Sequence, residues 1–190
     1  MKNKNIFLTL GLTFLVALAG FITYNNQFSE KGIYNHVINQ DGYEVYEIQK
    51  PVQFTTFIKP SWIPTKENEV IKLNEEIAKV GNVTIVIENV MHRGNDIYFN
   101  FDDVPYITYE KGEFLDNNEI NEDGTFTSYS LADGFHLYKK DGTEIMVGQR
   151  GFGPSSKFSF GIDIDYYELI EEGFNFEYNS SILYGYAKVH

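Results

Sequence analysis

The chain of 190 residues carries 27 acidic and 15 basic side chains, for a formal net charge of −12, and it contains no cysteine. Without a cluster of lysine and arginine, this balance excludes the phosphate-neutralising surface that a nucleic-acid partner requires. The lack of cysteine excludes disulfides, thiolate nucleophiles, cysteine-based metal sites and a lipoprotein anchor. Solubility explains the acidity, with attraction of divalent cations or of a basic partner as the alternative.

The N-terminal segment has the composition of an export signal. Two lysines precede an apolar run at residues 6–22, and Ala-Leu-Ala at positions 17–19 fits the small-x-small pattern of a cleavage site. Cleavage would leave a mature chain that begins at Gly20. Retention is the alternative, because the run approaches the ~20 apolar residues of a membrane-spanning helix. We interpret residues 1–24 as a hydrophobic signal peptide or anchor helix, and both interpretations place the rest of the chain outside the cytoplasm.

After this segment, the residue composition and periodicity of the chain change twice. Residues 25–42 are polar, rich in asparagine and without periodicity, which predicts a tether. From residue 43 to residue 190, short segments rich in Val, Ile, Phe, Tyr and Thr alternate with Gly, Asn, Asp and Pro, as is typical of an all-β domain. We see no internal repeat or linker there, so residues 43–190 are predicted to form one domain.

Two hairpins are the clearest elements of this domain. Both arms of VTIVIENVMHRGNDIYFNFDD, which starts at Val83, alternate between apolar and polar side chains, and residues 92–96 form the loop. In FHLYKKDGTEIMV, the Lys-Asp-Gly-Thr at 140–143 provides the positive φ angles of a tight turn. Further predicted strands lie at 43–48, 52–58, 106–109, 125–131, 157–164, 174–178 and 181–189.

Two stretches carry a helical pattern. Residues 165–173, DYYELIEEG, predict one short helix with Asp165 as N-cap, Leu169 and Ile170 facing inward, and Gly173 as its stop. Residues 68–81, NEVIKLNEEIAKVG, fit both periods, and we favour a strand for the first half. About nine strands with one or two helical turns predict a two-layer antiparallel β-sandwich.

The segment EEIAKVGNVTIVIENVMHRGNDIYFNFD resembles the opening strands of immunoglobulin-like extracytoplasmic domains of Gram-positive surface and membrane proteins. In those domains, a short apolar strand, a Gly turn and a VTI strand precede a hairpin with an aromatic return strand. The resemblance covers residues 70–105. It implies an immunoglobulin-like sandwich and an extracytoplasmic location, and it implies no functional residue.

The sequence contains no motif that indicates an enzyme. There is no Gly-x-Ser-x-Gly elbow, and none of the histidines forms a metal-binding pair at helical spacing. We therefore expect no catalytic residues, although a carboxylate pair that cleaves glycosidic bonds is recognised only by its spacing in space. The histidines, for which we expect no specific role, are His36, His92, His136 and His190.

Two segments are candidates for ligand binding. Residues 148–157, GQRGFGPSSK, predict either a plain strand connection or a binding loop that presents Arg150 and Phe152. Trp62, which lies between prolines in KPSWIPTK, predicts either a ring packed in the core or a ring exposed for stacking on sugars.

One acidic segment is a candidate for weak calcium binding, and no other cofactor is predicted. Glu119, Asn121, Asp123 and Gly124 match positions one, three, five and six of a calcium loop. Ser130 occupies the twelfth position, where a bidentate Glu is required. This departure from the template leaves only a weak, oxygen-lined site.

These observations lead to a hypothesis of function. The chain is predicted to be a non-enzymatic extracytoplasmic β-sandwich module that binds a protein or a component of the cell envelope. The membrane is a partner only through the uncleaved N-terminal segment. The alternatives are a protein that binds or processes cell-wall glycan and a structural surface protein without a discrete ligand.

Overall fold

The structure is a computed structural model that describes residues 2–121, 123, 125–129, 134–153 and 156–189, with side chains from residue 11 onward. Strands hold 51 % of the residues and helices 21 %, and the sheets are mostly antiparallel, which confirms the predicted β class. The chain packs into two compact units. Unit 1 contains residues 1–45, 107–112 and 186–190, and unit 2 contains residues 46–106 and 113–185.

Fifteen strands and three α-helices lie in the described part of the chain. The helices are α1 (Lys2–Gln27), α2 (Glu30–Ile38) and α3 (Tyr167–Ile170), with short 3-10 turns at Pro60–Trp62 and Ile164–Tyr166. The strands are β1 (Tyr43–Gln49), β2 (Val52–Ile58), β3 (Val70–Val80), β4 (Val83–His92), β5 (Asp96–Val104), β6 (Tyr106–Ile107), β7 (Lys111–Asp116), β8 (Asn118–Ile120), β9 (Phe126–Ser128), β10 (Phe135–Tyr138), β11 (Glu144–Ile145), β12 (Arg150–Phe152), β13 (Phe158–Asp163), β14 (Phe174–Ser180) and β15 (Ile182–Lys188).

Unit 1 begins with two helices. Where side chains are described, from residue 11 onward, no helix is long and apolar enough to cross a membrane. The segment predicted as a tether is helical over α2, because the Ser29 hydroxyl accepts a hydrogen bond from the Gly32 amide at 3.0 Å and caps the helix. Ile33 and Val37, one turn apart, are both buried. The roles of residues 1–24 in export and anchoring stay predictions.

Unit 2 contains a five-stranded antiparallel sheet in the order β12-β13-β5-β4-β3. Its β4–β5 pair is the predicted first hairpin, with the Arg93 amide donating to the Asp96 carbonyl at 2.9 Å across the turn. The stretch that fits both periods, residues 68–81, is a strand from Val70 to Val80, β3, so its second half is a strand as well as its first. Register shifts at 72–75 and 76–78 explain its mixed pattern, since each bulge changes the face that the side chains occupy.

A second antiparallel sheet of unit 2 has the order β11-β10-β14-β2. The predicted second hairpin joins β10 to β11. The Lys139 amide donates to the Thr143 carbonyl at 2.8 Å, and Gly142 has the positive φ of 86° that the turn requires.

The two sheets of unit 2 pack face to face through aromatic side chains. Phe99 contacts Phe174 edge-to-face at 5.5 Å between ring centroids, and Phe101 lies 5.3 Å from Phe176. All four rings are at most 1 % exposed. Each buried ring contributes about 1.5–3 kcal/mol by burial, and aromatic pairing adds about 0.5–1.5 kcal/mol. This two-layer core is the sandwich that the alternating strands predicted.

A third sheet has the order β1-β15-β7-β6, and β8 pairs with β9 in a separate ladder. Within unit 1, the Tyr43 ring lies edge-on to Tyr186 at 5.6 Å. The Tyr43 hydroxyl donates to the Tyr109 carbonyl at 3.0 Å, and the Tyr186 hydroxyl donates to the Thr108 carbonyl at 2.6 Å. These bonds satisfy the hydroxyl groups of two buried tyrosines.

The predicted helix at 165–173 is correct in its end and wrong in its start. The α-helix starts at Tyr167, with Tyr166 at its N-cap position, because Asp163 caps a preceding 3-10 turn by accepting the Asp165 amide at 3.0 Å. Only α3 is α-helical, with Ile170 buried as predicted. The Gly173 amide donates to the Ile170 carbonyl at 2.8 Å and has φ +80°, which confirms the stop.

Candidate functional site

The outer face of the sheet β11-β10-β14-β2 carries a groove of about 490 Å³. Leu137 and Phe176 point into the core and are fully buried, so the alternate positions on the same strands point outward. Tyr138 lies directly opposite Asn175, which occupies one such outward position. The lining residues are Thr55, Tyr138, Lys139, Lys140, Gly142, Asn175 and Glu177.

Polar groups of several kinds converge on this groove. Thr55 pairs with Glu177 across neighbouring strands, and both side chains are exposed. Asn175 and Tyr138 are half-buried. Together these residues provide hydroxyl, amide, carboxylate and phenol groups on one sheet face, so a ligand with many polar atoms can be bound there.

Two lysines border one end of the groove, where the β10–β11 turn projects. The Lys139 ammonium lies 3.9 Å from the Asp141 carboxylate, and the Lys140 ammonium lies 5.5 Å from the centre of the Phe57 ring. Beyond the lysines is a smaller cavity of about 250 Å³. Its lining consists of Lys139, Lys140, Asp141, Glu168, Leu169, Glu172 and Gly173.

Tyr138 lies near aromatic and charged side chains. Its ring plane is 14° from that of His136, with 6.3 Å between centroids, and His136 Nδ1 lies 3.3 Å from the Glu144 carboxylate. Partial desolvation raises the pKa of Tyr138, and the negative charges of Glu144 and Glu177 raise it further. The phenol therefore keeps its proton at neutral pH and is available as a hydrogen-bond donor.

The structure places both residues of the predicted binding loop at the margin of the core. Arg150 and Phe152 lie on β12, at one edge of the five-stranded sheet, on the same inward face as their buried partners Phe160 and Phe158, and both side chains are still exposed. Both contact Phe135 of the opposite sheet, with the Phe152 ring at 5.4 Å and the Arg150 guanidinium at 5.9 Å from its ring centre. With 37 % of its surface exposed, Phe152 partly covers the core at this position.

Trp62 lies in the core of unit 2 with 7 % of its surface exposed. The Lys59 ammonium sits 4.6 Å from the centre of the ring system. Core packing was one of the two alternatives predicted for this residue, and so little exposed ring leaves almost no surface for a sugar to stack on.

The three predicted calcium ligands each bind a protein neighbour. Glu119 pairs with Lys50 at 2.8 Å, and Asp123 accepts the Thr125 amide at 3.0 Å. The Asn121 amide donates to the hydroxyls of Thr125 and Thr127. Within the described ranges, no group of three or more His, Asp or Glu side chains is arranged to hold a metal. Gly124 and Ser130 of the predicted loop lie outside the described residues, and the calcium site stays a prediction.

The histidines are found in different surroundings. His36 Nδ1 lies 2.8 Å from Asp41, and His136 belongs to the groove sheet described above. His92 is half-buried, and its Nδ1 has no hydrogen-bond partner among the described residues. His190 lies outside the described residues.

A buried polar cluster in unit 2 was not predicted from the sequence. The Ser156 hydroxyl donates to the Asp103 carboxylate, and the Ser181 hydroxyl donates to the Asn117 side-chain oxygen at 2.6 Å. Tyr178 shares a hydrogen bond with Ser181. Four of these residues, all except Asp103, are at most 5 % exposed.

Burial raises the pKa of Asp103 to about 7, and the neighbouring charge of Asp102 adds to this rise. Burial also raises the pKa of Asp116, and hydrogen bonds from Asn118 oppose this rise. The Lys157 ammonium pairs with Asp102 and lowers the pKa of Asp103 only slightly. The cluster thus contains a carboxyl group that titrates near neutral pH.

The fold and the groove define a β-sandwich with a polar and aromatic groove on one outer face. No protein-family model, no curated protein and no solved structure matches this chain. The resemblance to immunoglobulin-like extracytoplasmic domains therefore stays a prediction.

Sequence reasoning missed the groove, although a local signal was present. Outward positions of the predicted strands combine aromatic with polar residues, as in His136 and Tyr138 on β10 and Asn175 and Glu177 on β14. That these strands are neighbours follows from pairing across distant parts of the chain, which alternation within a strand does not indicate.

Proposed function

We propose that this chain is a non-enzymatic binding module of the extracytoplasmic space, with an immunoglobulin-like sandwich that holds a protein or a component of the cell envelope. Its ligand occupies the groove of the sheet β11-β10-β14-β2. Residues 1–24 direct export and are either removed or kept as an anchor.

The groove is the observation that supports this proposal. It is open, has the volume of a small-ligand site, and brings together side chains from three strands and a turn. Support for export comes from the two lysines before the apolar run, and support for the immunoglobulin-like fold comes from the two packed antiparallel sheets and from residues 70–105.

A groove-blocking variant tests the proposal. Thr55 is exposed and lines the groove, so Thr55→Arg places a long side chain in it without opening the core. We expect the wild-type domain to be retained on isolated cell envelopes and Thr55→Arg to lose retention at least tenfold.

The matched control is Gln53→Arg, on the same strand and the same face but outside the groove lining. This variant loses one exposed hydrogen bond to Asn179 and should be retained like the wild type. Equal retention of Thr55→Arg and wild type would show that the groove is not the ligand site. A wild-type domain that is not retained at all would refute the proposal as a whole.

A further inference from the structure

We infer that the groove takes an uncharged glycan, with one sugar ring packed against Tyr138 and its hydroxyls bound by Thr55, Asn175 and Glu177. This inference rests on the proposed function, because it names the ligand class of the same groove.

Four polar side chains in the lining argue against a purely apolar ligand. Thr55, Asn175, Glu177 and Lys139 all contribute to the groove. An apolar molecule would remove water from these groups without replacing their hydrogen bonds, at a cost of ~1–3 kcal/mol for each group. A ligand covered with hydroxyl groups replaces the lost water, since each hydroxyl both donates and accepts.

The kinds of polar group match the needs of neighbouring hydroxyls. The Asn175 amide donates and accepts, the Glu177 carboxylate accepts, and the Lys139 ammonium donates. Asn175 and Glu177 are two positions apart on β14, so their side chains project from the same face. Thr55 lies directly opposite Glu177 and adds a hydroxyl there. Adjacent hydroxyls of one ring can therefore be bound by different residues of one surface.

Tyr138 supplies the apolar contact that a sugar requires. A pyranose ring has a face of C–H groups, and an aromatic ring combines a flat apolar surface with a polar tip. Tyr138 is half-buried within the groove lining and lies opposite Asn175. A sugar on this ring is thus also within the polar surroundings of Asn175.

Charge argues for an uncharged glycan over an acidic one. Lys139 and Lys140 are offset by Glu177 in the lining and by Asp141, which lies 3.9 Å from Lys139. The net charge of −12 repels polyanions as they approach the molecule. The site therefore provides hydrogen bonds without an excess of positive charge.

Affinity electrophoresis through gels that contain a neutral polysaccharide provides the test, with glucan, mannan, xylan and glycol chitin as separate probes. We expect at least one of them to retard the wild-type protein, and Tyr138→Ala to weaken that binding at least tenfold. Tyr138→Phe keeps the ring and should bind within about threefold of wild type. Tyr106→Ala, which removes a tyrosine that is 44 % exposed and outside the groove lining, should bind like the wild type.

Two results would overturn the inference: retardation by none of the four polysaccharides, or retardation that Tyr138→Ala leaves unchanged. Capture on cell envelopes separates this failure from failure of the proposed function. If envelopes still retain the wild type and release Thr55→Arg, the groove binds another envelope component and only the glycan assignment fails. If envelopes do not retain the wild type, both fail.

Discussion

Asp103 is the residue whose surroundings have the clearest consequence for stability. Its carboxyl group accepts a hydrogen bond from Ser156, and the charges of Asp102, Asp116 and Lys157 act on it. Burial dominates these influences and raises the pKa from 3.8 to about 7. The folded state therefore binds this proton more tightly than the unfolded state does.

This difference predicts that the free energy of unfolding falls as the pH rises from about 4 to about 7. Because the pKa is higher in the folded state, tighter proton binding stabilises the protein fully below the unfolded pKa of 3.8. This stabilisation is lost as the pH rises through the folded pKa of about 7. The slope is on the order of 1.4 kcal/mol per pH unit within that window. Urea denaturation at pH 5 and pH 8 measures it, and Asp103→Asn should flatten the slope.

Asp141→Asn is the matched control, because its exposed carboxyl has a pKa lowered by hydrogen bonds from Thr143. A lowered pKa affects stability only as the pH falls toward that value, so this variant should keep the wild-type slope between pH 5 and pH 8. An unchanged slope in Asp103→Asn would contradict the assignment.

The C-terminal end of the helix α3 depends on Gly173, which lies beside the sheet that carries the groove. Gly173 has φ +80°, and an added Cβ would lie 2.5 Å from the Ile58 carbonyl oxygen and 2.6 Å from the Phe57 ring. We expect Gly173→Ala to reduce the free energy of unfolding by about 2–4 kcal/mol, from the strained backbone and the displaced neighbours. Chemical denaturation measures the loss.

The variant Gly142→Ala separates the cost of the strained backbone from the cost of the displaced neighbours. It also has a positive φ, of 86°, but a Cβ there meets no atom within 4 Å. Gly142→Ala should therefore lose only the backbone share, about 1 kcal/mol. A loss in Gly173→Ala that is no larger than in Gly142→Ala would show that Phe57 and Ile58 adjust freely.

The strand β12 is three residues long, and its inward side chains cover Phe135 at the margin of the core. Phe152→Ala should lower the free energy of unfolding by about 1–2 kcal/mol, because part of this ring is already exposed. Arg150→Ala removes a distant cation–π contact and should cost less than about 1 kcal/mol.

Retention on cell envelopes distinguishes this packing role from a role in binding. If Phe152→Ala folds and is retained like the wild type, the loop serves the core. If retention falls while stability is unchanged, the loop carries part of the binding surface.

The local sequence pattern predicted the sheets. The features that it did not predict, the strand β12 and the groove, depend on pairing between distant parts of the chain. The arms of the β4–β5 hairpin alternate because one face is buried, and Asp141-Gly142 marks the turn between β10 and β11. By contrast, β12 lies in a glycine-rich segment and exists through its pairing with β13. The groove likewise arises where β10, β14 and β2 meet, and no single segment encodes that neighbourhood.

The N-terminal segment is predicted to determine where the whole chain is located. Two lysines before the apolar run at 6–22 should direct residues 25–190 across the membrane, so we expect the protein outside the cytoplasm. Cell fractionation with intact-mass measurement tests this. A chain that begins at Gly20 in the medium demonstrates cleavage, and an intact chain in the membrane fraction demonstrates retention. Leu15→Glu, which places a charge in the apolar run, should keep the protein in the cytoplasm. If the wild type is found only there as well, the export signal is refuted, and so is the proposed binding to the cell envelope.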